Sequence, residues 1–344
     1  MSTRISSLFG TAALAFALGA PGMAAAKTLT ISWWGFNGDK MNELVVEPFQ
    51  AKCGCELVFE TGNNADRLNK VKIRDGKGVD LIYLTDSFSQ IGIAEGLFQP
   101  VDRAKVPNIA GLHDIAQAPQ GEFGPAYTVG RIGIVYDSAK VKAPITKWTD
   151  LWREDLKAAV SLPGITTTAG PMVVMLAGEK AGGDVFADAG AAFKEIEAIK
   201  GNVVKNYNTG SEMINLFSTG EIAVSMTQDF TLGQLQKAVP TITWAALEDG
   251  DFAVMNTINI PKGAENVDLA HEFINFVLDP ALQKVLAEAG VDAPTAKSVE
   301  LSPEAAAKWT YGEAQINGLK RLDYAKMNAA KAGWVEKWNE VFGM

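Results

Sequence analysis

Gly250–Thr295, GDFAVMNTINIPKGAENVDLAHEFINFVLDPALQKVLAEAGVDAPT, is the stretch from which the fold can be read. Phe252, Val254, Asn256, Ile258 and Ile260 alternate and end at Pro261, which predicts a strand stopped where the chain has no N–H to donate. A polar turn follows, in which Asn266 or Asp268 can cap the next segment. Leu269, Phe273, Ile274, Phe276, Val277 and Leu278 then recur at helical spacing. Asp279-Pro280 ends that helix and opens a second, which carries Leu282, Val285, Leu286 and Ala289 and closes at Gly290.

Strand, Ile-Pro-Lys-Gly, helix, Asp-Pro, helix and a Pro-Thr at Pro294 resemble, in this order, the late crossover of bacterial periplasmic solute-binding proteins. Within them the stretch is most similar to the spermidine/putrescine-binding branch. The resemblance implies an α/β fold of two lobes (type II-like), each a mainly parallel sheet flanked by helices, joined by hinge strands. It places 27–131 and 254–298 in lobe 1 and 132–253 and 299–344 in lobe 2.

The N-terminus predicts export. Arg4 precedes an apolar run from Leu8 to Leu18, and small residues end in Ala24-Ala25-Ala26 before Lys27. That is the pattern of a signal peptide cleaved after Ala26, too short for a stable membrane anchor, with a periplasmic destination. The rest is ordinary for a folded chain, 47% hydrophobic and 21% charged, and long enough for two domains. A net charge of −9 argues against nucleic acid or an anionic membrane as partner. Cys53 and Cys55, in Lys-Cys-Gly-Cys-Glu, admit two readings: a tight disulfide, or a helix end followed by a buried strand start.

Along the chain, Thr28–Trp33, Glu56–Thr61 and Asp80–Leu84 read as strands. Helices capped by Asp39 and by Asn64 separate them. Strand, helix, strand, helix, strand implies a parallel, right-handed arrangement whose ligands sit beyond the carboxyl ends of the strands. Gly121–Tyr136 reads as extended, and its Tyr-x-x-Gly-x-x-Gly-Ile-x-Tyr pattern resembles the family's first crossing into the second lobe. Trp148–Trp152 resembles a structural helix of the family. Val160–Pro163, Asn202–Tyr207 and Ile222–Thr227 are further strands, and Leu301–Met344 reads as two or three Trp-rich helices.

Catalytic signatures are missing. No phosphate-cradling loop, dinucleotide fingerprint, His-Glu-x-x-His helix or Gly-x-Ser-x-Gly elbow occurs, and the chain has only His113 and His271. His271 lies on an amphipathic helix and reads as a surface or packing residue. None of the six tyrosines is adjacent to another, unlike the paired metal ligands expected of ferric-binding relatives. No catalysis, cofactor or metal is expected.

A receptor cleft needs aromatic walls and a few orienting polar groups. Trp34 and Phe36, after the first strand, match the turn that in the family sandwiches a cationic ligand. Thr85, Asp86, Ser87 and Phe88 stand at the same mouth, where helix capping is the competing role. Asp229 is a candidate partner for an ammonium, or a cap, with Gln228 beside it. Helix starts near Thr166–Thr168, with Thr167 central, and near Asn208–Ser211 offer N–H groups to an anion. Asn256 stands where polyamine-binding members carry a carboxylate, and the Thr run replaces acids expected nearby. Arg131 suits a carboxylate clamp or an ion pair between lobes.

The expectation is a monomeric periplasmic receptor of an ABC importer. It captures a small amine-containing solute, a polyamine or an amino-acid-like or opine-like zwitterion, by lobe closure and docks on the membrane permease. The alternatives are a secreted two-lobed α/β enzyme and a receptor for a phosphate- or phosphonate-bearing solute.

Overall fold

A computed structural model describes residues 27–35 and 37–343. The signal-peptide segment and Phe36 lie outside the described residues. Among the described residues ten strands form one sheet: β1 (Thr28–Trp33), β2 (Glu56–Thr61), β3 (Leu81–Thr85), β4 (Phe98–Gln99), β5 (Ala126–Asp137), β6 (Val160–Pro163), β7 (Val203–Tyr207), β8 (Val224–Gln228), β9 (Ile242–Trp244) and β10 (Phe252–Pro261). Their order is β2-β1-β3-β10-β5-β8-β6-β7, with β4 against β10 and β9 against β5.

Each end of this sheet is parallel: β1 pairs with β2 and β3, and β6 with β7 and β8. Between them β10 and β5 run antiparallel to their neighbours. Both are long enough to serve two hydrophobic cores. Ala126 and Val129 of β5 and Ile258 and Ile260 of β10 join Leu29, Ile31, Leu81, Phe273 and Ile274 in one. Ile132 and Ile134 of β5 and Phe252 and Val254 of β10 join Leu162, Met226, Trp334 and Trp338 in the other. The α/β arrangement of parallel sheet units joined by shared strands is therefore the one expected from sequence.

The Gly250–Thr295 stretch folds as its pattern dictates, with one difference at the first helix start. Helix Val267–Val277 buries Leu269, Phe273, Ile274 and Val277, but neither Asn266 nor Asp268 caps it through a side chain. Instead buried Asp80 accepts hydrogen bonds from Glu265 N (3.1 Å), Asn266 N (2.8 Å) and Thr30 N (2.9 Å). One carboxylate thus ties β1 to the entry of the helix. Asp279 does cap the next helix, Pro280–Glu288, accepting from Ala281 N and Leu282 N. His271 is a packing residue: Nε2 accepts from Asp102 N at 2.9 Å, so Nδ1 carries the proton toward Val267 O.

Other local expectations shift slightly. Asn63, not Asn64, caps helix Asn64–Ile73, and Asn37 rather than Asp39 precedes the first helical turn. Trp148–Trp152 is a 3-10 turn whose Trp148 Nε1 donates to Gly250 O at 2.9 Å. Cys53 and Cys55 form a disulfide, which decides between the two readings left open by the sequence.

The Ile-Pro-Lys-Gly turn ends in a glycine for a steric reason. A Cβ on Gly263 would lie 2.5 Å from Asp75 O, and one on Gly76 (φ 76°) would lie 2.7 Å from Gly263 N. The turn after β10 and the turn after helix Asn64–Ile73 meet backbone to backbone. Gly263→Ala is expected to destabilise the protein by about 1–3 kcal/mol, read as a lower urea midpoint at unchanged slope; an unchanged midpoint would show that the two turns separate freely.

Asp86 couples helix Asp86–Ala94 to the crossover strand. Its buried carboxyl accepts from Ser87 N (2.9 Å) and from Met255 N of β10 (3.1 Å). Burial nevertheless dominates and pushes its pKa up from 3.8 to about 7. The native value lies above the unfolded one, so the stabilisation is complete below about pH 4 and is lost as pH rises through about 7, on the order of 4 kcal/mol in all. Melting temperature is expected to fall between pH 5 and pH 8, and to fall less steeply in Asp86→Asn; equal slopes would remove Asp86 from the account.

Candidate functional site

Beyond the carboxyl ends of the parallel strands lies a cavity of about 450 Å³ between residues of both ends of the sheet. Asn63, Asn64 and Ala65, at the start of helix Asn64–Ile73, and Phe88 line one side. Opposite them are Thr166–Ala169, before helix Gly170–Ala181, Asn208 and Gly210, at the start of helix Gly210–Ser218, and Thr227–Thr231 after β8. Asp229 alone of that last run is turned away from the cavity. None of the lining residues among those described carries a charge.

Three helices of nine to twelve residues therefore begin at this cavity. The first N–H groups of a helix have no acceptor within it and carry the positive end of the helix dipole. Thr209 Oγ1 accepts from Glu212 N, leaving the N–H groups of Gly210 and Ser211 without an acceptor among the described residues. Thr167 Oγ1 donates to Gly164 O (2.8 Å) and accepts from Gly170 N (3.1 Å), which leaves those of Thr168 and Ala169 similarly open. The loops that present these groups are tightly built. A Cβ on Gly170 would lie 2.1 Å from Gly164 O, and one on Gly164 would lie 2.4 Å from Asn208 Oδ1. Larger residues at either glycine would push the two helix starts apart.

The cavity also has aromatic walls. Phe88 faces it from one side and Phe230, 56% exposed, from the other. An exposed phenylalanine directly after a buried strand is a signal that sequence reasoning passed over. So are Asn64, which reads there only as a helix cap, and Asn63, which is not singled out at all.

Of the residues singled out from sequence, Phe88, Thr166–Thr168, Asn208, Gly210 and Gln228 line this cavity. Ser87 faces a small adjoining space with Thr167 and Thr168, and its hydroxyl lies 3.2 Å from that of buried Thr85. Asp86 is turned instead toward the hinge, where Gln120, Arg321 and Tyr324 surround a separate cavity of about 150 Å³. Trp34 is half-buried, edge-on to Tyr83 at 6.0 Å, and the Arg67 guanidinium lies 5.3 Å over its ring. Asn256 of β10 is paired with Thr85 of β3 on one side and Thr128 of β5 on the other.

The two charged candidates are held elsewhere. Arg131 Nη1 donates to Asp251 Oδ2 at 2.9 Å, and its guanidinium stacks 4.6 Å from the Trp244 ring. Asp229 is buried and accepts from the Thr310 hydroxyl, and burial raises its pKa. The pair serves the junction between β5, β8 and the C-terminal segment.

Among the described residues, no three His, Cys, Asp or Glu side chains are placed to hold a metal, and no helix is long and apolar enough to cross a membrane. The geometry suits a small polar molecule held by hydrogen bonds and aromatic faces.

Residues 45–313 match the family described as bacterial extracellular solute-binding protein. The chain is similar to the crystal structure of an ABC transporter protein from Clostridium perfringens, at 41% identity over 91% of this chain and 99% of that one, with a TM-score of 0.84. It is 25% identical over 271 residues to the spermidine/putrescine-binding periplasmic protein of Escherichia coli, covering 76% of this chain and 77% of that protein. It is 26% identical over 297 residues to a gamma-aminobutyric acid-binding protein of Pseudomonas aeruginosa, covering 82% and 79%. The cleft, the crossover strands and these similarities agree: the chain belongs to the bacterial extracellular solute-binding proteins and is a substrate-binding protein of the ABC-transporter type.

Proposed function

We propose that this protein captures a small zwitterion, an amine that also bears a carboxylate or phosphonate, and holds its anionic end at the helix starts around Thr166–Thr168 and Asn208–Ser211. The observation that carries the reading is a cleft without charged side chains, onto which three helix N-termini open. Free N–H groups at such a start bind carboxylate or phosphonate oxygens without a counter-charge. A diammonium ligand would need a carboxylate at each end, whereas no carboxylate among the described residues lines this cavity and Asp229, Asp251 and Asp86 are engaged by protein donors. Between the ligands named for the relatives, γ-aminobutyrate fits this cleft better than putrescine.

The rest of the reading rests on the family, with lobe bounds that the cores cross at the seams, where Val254 packs in the second core and Val299 and Leu319 on the first. Residues 27–131 and 254–298 form lobe 1, and 132–253 and 299–344 form lobe 2. The chain is exported by cleavage after Ala26, acts as a monomer in the periplasm and performs no catalysis. Ligand bridges the lobes, favours the closed form and so presents a surface to the membrane permease.

Calorimetric titration of the purified protein with γ-aminobutyrate, 3-aminopropylphosphonate, common amino acids, an opine, putrescine and spermidine tests the reading. One equivalent of an amine bearing an anionic group should bind and be recovered unchanged. Gln228, whose side chain makes no hydrogen bond among the described residues, provides the variant. Gln228→Ala should weaken binding by about 1 kcal/mol, roughly fivefold, at unchanged melting temperature. Binding of putrescine or spermidine alone would overturn the zwitterion.

A further inference from the structure

Near the carboxyl ends of β1 and β3 is a second cavity, of about 20 Å³, room for one water-sized group. Trp33, Tyr83, Tyr127, Leu286 and Asp292 line it. Tyr83 and Tyr127 stand edge to face with ring centroids 5.0 Å apart. Arg67 links this corner to the main cleft. Its guanidinium donates to Tyr83 O and Ser32 O, while its Nε donates to Gly62 O next to the Asn63–Asn64 lip.

Asp292 is set apart from the other shielded acids. Asp80, Asp86, Asp137 and Asp229 each accept hydrogen bonds from protein donors. The Asp292 carboxylate has neither a hydrogen bond nor an ion pair among the described residues, although it is only partly exposed. Its loop is nonetheless fixed at both ends. Gly290 (φ 74°) closes the preceding helix, and Gln283 Oε1 accepts from Thr295 N and Ala296 N, both at 2.9 Å. An unpartnered carboxylate held rigidly beside aromatic rings is a half-built ammonium site.

We propose that Asp292 receives the primary ammonium group of the ligand, with the rings of Tyr83 and Tyr127 around it. This rests on the zwitterion reading given above. The cavity's size adds a specificity: a primary ammonium fits, and a trimethylated one does not.

The groups facing Asp292 are the Tyr83 and Tyr127 hydroxyls, which burial and Asp292 itself keep protonated. Burial pushes Asp292 up to about 7, so at pH 6 the free protein holds it mostly protonated, and an arriving ammonium should displace that proton. Titration of wild type and Asp292→Asn at pH 6, in two buffers of different ionisation enthalpy, reads both affinity and protons. The probes are γ-aminobutyrate, its trimethylammonium analogue, butyrate and putrescine. In wild type, γ-aminobutyrate should bind at least tenfold more tightly than the trimethylated form or butyrate, with close to one proton released. Asp292→Asn should lose that preference and the proton release while folding normally. Equal γ-aminobutyrate affinity and proton release in the two proteins would overturn the role of Asp292 and leave the zwitterion reading standing. Binding of putrescine alone, or of none of the four, would overturn both.

Discussion

Strand β10 pairs with β3 through Asn256–Asn259 and with β5 through Phe252–Thr257, and almost everything else is placed by that double pairing. A strand with one set of residues in each of two cores cannot shift register without turning both sets to the wrong face. The alternation read at Phe252–Ile260 is thus a constraint on two hydrophobic cores at once. It also puts Asn256, with Thr85 and Thr128 on its flanks, at the line where the two meet.

Around that line polar chemistry divides into a part that holds the fold and a part that is left free. Asp80, Asp86, Asp229 and the Arg131–Asp251 pair are consumed by backbone and side-chain partners. A shielded acid without such partners would be costly, so their satisfaction is the ordinary outcome of folding. Among the described residues, the groups left without partners include N–H groups at the helix starts, the Gln228 side chain and the Asp292 carboxylate. A binding protein needs such vacancies, because its ligand supplies the missing half of each interaction.

The fold was legible because it rests on local periodicity and on punctuation such as Ile-Pro, Asp279-Pro280 and Gly290, which act within a few residues. The site was legible in part. Thr167 and Gln228 follow strand ends, and strand ends point to the cleft in any parallel α/β sheet. Arg131 and Asp229 looked equally promising, but their partners are Asp251 and Thr310, 120 and 81 residues away, and no local pattern announces them. Asp292 was hidden among 40 acidic residues; what distinguishes it is that its carboxylate has no partner among the described residues. Phe230 was passed over because an aromatic after a strand reads as core until its exposure is known.

A third chain crossing joins the cores besides β5 and β10. Leu319 packs on the first core and Leu322 on the second, and between them Lys320 pairs with the start of β10, accepting from Ala253 N at 2.8 Å. Two ribbons alone would let one half swivel about the other as well as bend. A third tether beside them opposes the swivel and favours bending about one axis, and under the proposed closure that axis would bring Asn63–Asn64 and Thr166–Thr168 together in one alignment.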